Sequence, residues 1–357
     1  MGRVLAEATP GQKFRMAAVA AGVLAATYPA WIVVAVGGPR GTLAVDDLGQ
    51  MAAAWAAAII CAAAAQRSTT ARATWALLAT SCFLWGAGEA AWSWYALVQH
   101  APVPFPSVAD IGFLAAVPFA CAALLVYPSG SRRTTDRIRG VLDGCIIAVA
   151  ILFASWATIL GPIYRSNKDS LLGQVIVLAY PMSDVVMVSL VVILMARTCS
   201  RGRESLGLVM AGLVAFATAD SGFAYLTEVS RYTGGNLLDV GWVAGYLLIG
   251  LGALWAIWHP PVVVDRDDES TVSLVAPYVP VLMVLVATSV QLVRGRHIEM
   301  VSWVMAFGLV LLVLGREALQ VVGRAKEVRQ TSSATAVALE EPASGSEEDP
   351  VLLGRTP

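Results

Sequence analysis

Trp85-Gly86-Ala87-Gly88-Glu89-Ala90-Ala91-Trp92-Ser93-Trp94-Tyr95 is the stretch on which the fold turns. It closes an apolar run that begins near residue 73, and a single carboxylate, Glu89, is lodged inside it. Glu89 lies roughly ten residues from the apparent helix end near Gln99, which at about 1.5 Å per residue is about 15 Å. That is the middle of a bilayer core about 30 Å thick. A carboxylate there costs on the order of 3 kcal/mol on insertion scales, so it marks a candidate functional position. Trp85 and Trp92, one helical turn to either side, share its face.

Composition extends this reading to the whole chain. Of 357 residues, 57% are hydrophobic and only 14% charged, against about a quarter charged in soluble domains. The sequence predicts an all-α polytopic membrane protein with ten spans, at 14–36, 48–65, 73–99, 109–127, 139–161, 173–196, 206–228, 237–258, 274–293 and 299–319. Short connectors make neighbouring spans antiparallel hairpins. The expected domains are a cytoplasmic lead (1–13), a transmembrane domain (14–320), and a short cytoplasmic helix with a disordered acidic tail (321–357). The tail begins at Thr331, where Ser, Ala, Pro, Gly and Glu take over. A net charge of −1 excludes a nucleic-acid-binding surface.

Lysine and arginine set the orientation. With the N-terminus cytoplasmic, the inner segments hold 18 of the 24 basic residues and the outer segments 6. Both termini are therefore expected in the cytoplasm, with the plasma membrane as location. Cys61, Cys82, Cys121 and Cys145 read as small packing residues inside spans, and Cys199 falls in a basic inner loop. His100, His259 and His297 stand singly in loops. No cofactor and no metal site is expected, and no motif of a hydrolase or metalloprotease occurs.

The opening stretch recurs. A shift of 131 residues matches Trp85 with Phe216, Glu89 with Asp220, Trp92 with Phe223 and Trp94 with Tyr225. A shift of 129 matches Asp110-Ile111-Gly112-Phe113 with Asp239-Val240-Gly241-Trp242. Spans three and four thus look like a copy of spans seven and eight, running the same way: a parallel internal repeat. Asp47, Asp184 and Glu299 are weaker echoes in the other even-numbered spans.

Two readings of these acids stand side by side. Asp47, Asp110, Asp239 and Glu299 sit where an acid caps a helix start. Asp184 follows Tyr180-Pro181, where a proline would kink or restart a helix. Glu89 and Asp220 are mid-helix, so each is either a carboxyl joining helices or a ligand, ion or proton site. The site expectation gathers Glu89, Trp85, Trp92, Asp110, Tyr180, Asp184, Asp220, Phe223, Asp239 and Trp242 around one outward-facing acidic–aromatic pocket. Glu89 and Asp220 would face each other there, and the pocket would suit a cationic or hydrogen-bonding small molecule.

Several motifs carry a family likeness. They are Trp85 through Glu89-x-x-Trp92-x-x-Tyr95, Pro104-Phe105-Pro106-Ser107-x-Ala109-Asp110, Leu142-Asp143, Trp156 with Gly161-Pro162, and Ala179-Tyr180-Pro181-x-x-Asp184. Together, over roughly residues 70–330, they resemble the multi-helix membrane sensor region that precedes GGDEF diguanylate cyclase and EAL phosphodiesterase domains in actinobacterial signalling proteins. Within these residues no cyclase or phosphodiesterase domain follows the tenth span, so the implied cyclic-dinucleotide chemistry is not expected. The resemblance implies a non-enzymatic sensor or signalling module that reaches a cytoplasmic partner through the segment after Gly315. A proton-coupled small-molecule transporter is the competing reading. The lipid bilayer is the expected partner, and an oligomer is compatible with both readings.

Overall fold

The computed structural model describes residues 8–127, 134–157, 161, 171–197, 200–228, 231–259, isolated positions between 282 and 292, and 300–340. Among them the chain is all-helical. The main elements are α1 (Pro10–Val34), α2 (Gly38–Arg67), α3 (Arg72–Ser93, prolonged by a π-turn over Trp94–Val98), α4 (Val108–Leu125), α5 (Thr134–Ser155), α6 (Leu171–Arg197), α7 (Ser200–Glu228), α8 (Val240–Trp258) and α9 (Met300–Glu340). The ninth predicted span, 274–293, lies largely outside the described residues, as does Glu299.

Among the described residues six helices are long and apolar enough to cross a membrane: Pro10–Val34, Gly38–Arg67, Val108–Leu125, Glu204–Thr227, Leu237–Trp258 and Met300–Val322. The chain is thus a multi-helix membrane protein. α3, which carries Glu89 and three tryptophans, is not among the six. Apolar side chains such as Val19, Val23 and Leu24 on α1 point outward, as lipid-facing residues do.

The helix starts follow from local chemistry. Thr9 and Gln12 form a capping box ahead of Pro10. α1 ends at Ala35 in a left-handed conformation, φ 53°. Gly37, φ 87°, then turns the chain into α2, a backbone state that glycine enters without steric cost. α2 therefore starts at Gly38 and not near residue 48. This corrects the expectation for Asp47, which lies well inside the helix and cannot cap it. α6 runs unbroken through Pro181, so Asp184 is an internal residue and caps no restart.

Six helices close a ring: α2 packs on α3, α3 on α4, α4 on α6, α6 on α7, α7 on α8, and α8 on α2. α1 lies outside against α8, and α5 lies outside against α6. α2 turns an alanine-rich face inward (Ala54, Ala57, Ala58, Ala64, Ala65) with the free thiol Cys61, and such small residues let helices approach closely. The tightest crossing joins α3 to α4. A Cβ on Gly112 would lie 2.6 Å from Gly88 Cα and 2.8 Å from the Leu84 carbonyl oxygen. α7 and α8 cross in the same manner, with Gly241 against Ala219 and Ala215. α9 packs mainly on α5. At their contact Arg316, 2% exposed, gives its Nε–H to Asp143 Oδ1 at 2.7 Å and an Nη1–H to Glu317 at 2.8 Å. α9 continues to Glu340, past Thr331 where the disordered tail was expected to begin. Ala334, Ala336 and Ala338 supply the helix propensity there.

Candidate functional site

The ring gathers its acids into two groups. The first lies between α2, α3 and α8. Asp46 Oδ1 accepts the Tyr28 hydroxyl and, at 3.2 Å, Gln50 Nε2; its Oδ2 accepts the Gly235 N–H at 2.7 Å. Asp239 Oδ2 accepts the Asn236 N–H at 2.8 Å, and its Oδ1 accepts the Tyr232 hydroxyl at 3.2 Å. Asp46 and Asp239 are charged neighbours. Glu89 has Asp47, Asp46 and Asp239 as its charged neighbours. It is 4% exposed, and among the described residues it makes no hydrogen bond. Asp47 Oδ2 and Ser93 Oγ are buried without a partner too.

The second group lies between α4, α6, α7 and α8. Asp220 Oδ1 accepts the Trp242 indole N–H at 2.6 Å. Asp184 is a charged neighbour of Asp220, and its Oδ2 is buried without a hydrogen-bond partner. Asp110 Oδ1 accepts the Tyr180 hydroxyl at 2.6 Å, and Oδ2 accepts the Ser107 N–H at 2.6 Å. Tyr180 also senses the charge of Asp220.

An aromatic wall joins the groups. Trp85 meets Phe113 and Tyr246, both at 5.0 Å, and Phe216 at 5.9 Å. Phe223 touches Trp92 at 6.5 Å, Tyr232 at 4.6 Å and Trp242 at 5.9 Å. The bonds Tyr232–Asp239 and Trp242–Asp220 put Phe223 midway between the two acid groups. Tyr232 lies in the α7–α8 connection outside the spans. Burial, then the charges of Asp239 and Asp46, hold its phenol above the ordinary range, so it remains a donor.

All ten predicted site residues lie in this assembly. The charged neighbours of Glu89 belong to the first group, Asp220 bonds in the second, and Tyr246 has both acids among its charged neighbours. Two of the three aromatic pairs matched by the 131-residue shift meet, Trp85 with Phe216 and Trp92 with Phe223; Trp94 and Tyr225 are both exposed. Asp110 and Asp239 do serve as helix-start acids, each at the third position of a capping box opened by Ser107 or Asn236, and each also takes a tyrosine hydroxyl.

Sequence reasoning missed Asp46, Tyr28, Tyr232, Ser93 and Tyr246. For Asp46 the Asp46-Asp47 doublet was a usable signal once α2 was allowed to start at Gly38. The tyrosines join only through tertiary packing. Among the described residues no group of three His, Cys, Asp or Glu side chains is arranged to hold a metal ion. No protein-family model, curated protein or solved structure matches the chain.

Proposed function

We propose that the chain is a non-enzymatic membrane sensor module whose acid–aromatic ring interior receives a stimulus that α9 passes to a cytoplasmic partner. The observation that carries this reading is the length of α9. Its 41 residues extend about 62 Å, twice a bilayer core of about 30 Å. Only Met300–Val322 is apolar enough to span, and the remainder carries Arg324, Lys326, Glu327 and Arg329. A helix that leaves the membrane by that distance suits a relay to an output. The Arg316–Asp143 pair ties it to α5, which packs on ring helix α6. In this reading ten spans cross the plasma membrane with both termini cytoplasmic. α3–α4 and α7–α8 are the two copies of a parallel repeat, a view supported by the matched crossings.

Spin labels at Ile138 and Val321, both exposed, report the α5–α9 relation in the full-length protein. A distance distribution that shifts on Glu89→Gln is expected, since a stimulus acts only by favouring one packing over another. Identical distributions in the parent, Glu89→Gln and Asp220→Asn would overturn the reading. Proteoliposomes loaded with a pH dye test the carrier alternative: a proton flux abolished by Glu89→Gln would replace the sensor by a proton-coupled transporter.

A further inference from the structure

We propose that Glu89, Asp47 and Ser93 form a binding site for a primary ammonium group, with Trp92, Phe223 and Tyr232 beside the organic substituent. The proposal rests on the ring interior being the receiving site, and it names the chemistry received. Its foundation is a set of acceptors without donors. Asp47 is 1% exposed and Ser93 6% exposed, and Asp47 Oδ2 and Ser93 Oγ have no partner. Glu89 is 4% exposed and bonds to nothing among the described residues. Ser93 follows Glu89 by one helical turn on the same face, and Asp47 is the foremost charged neighbour of Glu89.

The rest of the group is already satisfied. Asp46 holds Tyr28, Gln50 and Gly235, and Asp239 holds Asn236 and Tyr232. Among the described residues neither Glu89 nor Asp47 has an ion-pair partner. Buried acceptors of this kind are met in folded proteins by a donor, and carboxylates call for a cationic one.

An ammonium group offers one positive charge and three N–H donors, which matches two carboxylates and a hydroxyl. A quaternary ammonium could use the aromatic wall but has no N–H to give. In the second acid group Asp184 Oδ2 is also buried without a partner, but the matched acid Asp220 has a built-in donor. α8 presents Trp242 to Asp220, whereas at the position matched by the 129-residue shift α4 presents Phe113, which has no polar hydrogen. Glu89 thus lacks the donor that Asp220 has.

The test uses the full-length protein in detergent micelles, titrated with methylammonium chloride against tetramethylammonium chloride, with calorimetry and thermal unfolding as readouts. Methylammonium is expected to bind saturably and to raise the unfolding temperature, and tetramethylammonium is expected to do neither. Losing one charge-assisted partner in Glu89→Gln or Asp47→Asn weakens binding by about tenfold or more, and Ser93→Ala by about threefold to tenfold. Asp220→Asn leaves it within about threefold, the spread expected for a residue that makes no contact with the ligand. Should Glu89→Gln not fold, Asp47→Asn and Ser93→Ala decide. No saturable binding by the parent, equal binding of tetramethylammonium, or undiminished binding by Asp47→Asn and Ser93→Ala would each overturn the site. Methylammonium binding that leaves the Ile138–Val321 label distance unmoved keeps the site and rejects the sensor. A label distance that moves on Glu89→Gln without any methylammonium binding does the reverse.

Discussion

Trp242→Phe removes the indole donor while keeping a ring in its place. Two facts set the size of the effect: the bond to Asp220 is 2.6 Å long, and Trp242 is 8% exposed. Hydrogen bonds to charged groups in soluble proteins contribute about 1.5–3 kcal/mol. Interhelical bonds in membrane proteins average about 0.6 and reach about 1.7 kcal/mol, because the unfolded helices find other partners in the bilayer. The short, buried geometry places this bond at the upper end of the second range, near 1.5 kcal/mol. The larger ring also meets Phe223 edge-on at 5.9 Å, and part of that contact, about 0.5–1 kcal/mol, goes with it. The single substitution should therefore destabilise by about 2 kcal/mol. A double-mutant cycle with Asp220→Ala isolates the bond: unfolding of the four proteins in mixed micelles, followed by circular dichroism, should give a coupling near 1.5 kcal/mol. A coupling below about 0.5 kcal/mol, the error of such cycles, would refute the bond and with it the distinction between the two acid groups.

The neighbouring aspartates should separate in the same unfolding assay. Asp46→Ala strands the Tyr28, Gln50 and Gly235 donors and should cost about 3 kcal/mol or more, whereas Asp47→Asn, whose Oδ2 bonds nothing, should stay within about 0.5 kcal/mol of the parent or above it. Gly112→Ala drives a methyl into the backbone of Gly88 and should lose about 1–3 kcal/mol. Gly308→Ala on α9, where a Cβ meets nothing within 4 Å, should be neutral or gain up to about 1 kcal/mol of helix propensity. Arg316→Met leaves Asp143 without its cation and should cost about 3 kcal/mol, while adding Asp143→Leu should recover most of the loss. Thermal unfolding that ranks the double variant below the single one would contradict the pairing.

The helical class was legible because unbroken apolar runs admit few other foldings in a bilayer, and the burial of Glu89 was legible because it lies alone inside such a run. Asp110 and Asp239 were legible as helix-start acids because capping is a local event, fixed by Ser107 and Asn236 three residues earlier. Asp47 was misplaced for a local reason as well. Gly37-Gly38-Pro39-Arg40-Gly41 reads as a loop, yet α2 begins inside it with Pro39 in the first turn. That moved Asp46 and Asp47 from a helix end to a buried face. A sequence shift says which residues are equivalent, and contact depends on how each lies about the ring: Trp85 meets Phe216 and Trp92 meets Phe223, while Tyr246 has both Asp220 and Glu89 among its charged neighbours. Tyr28 and Tyr232 carry no periodic signal, since their roles exist only once α1 and the α7–α8 connection are packed.

The ring's order has a mechanical corollary. α2–α4 and α6–α8 meet along two seams, α8 against α2 and α4 against α6. Each seam is bolted by polar bonds that join a helix-start segment of one side to the interior of a helix on the other. Gly235 fastens to Asp46 at one, and Tyr180 fastens to Asp110 at the other. Rocking one half against the other would have to unlatch these bolts in turn. The first bolt adjoins Glu89, so a cation arriving there would act on the latch of one seam while the other served as the hinge.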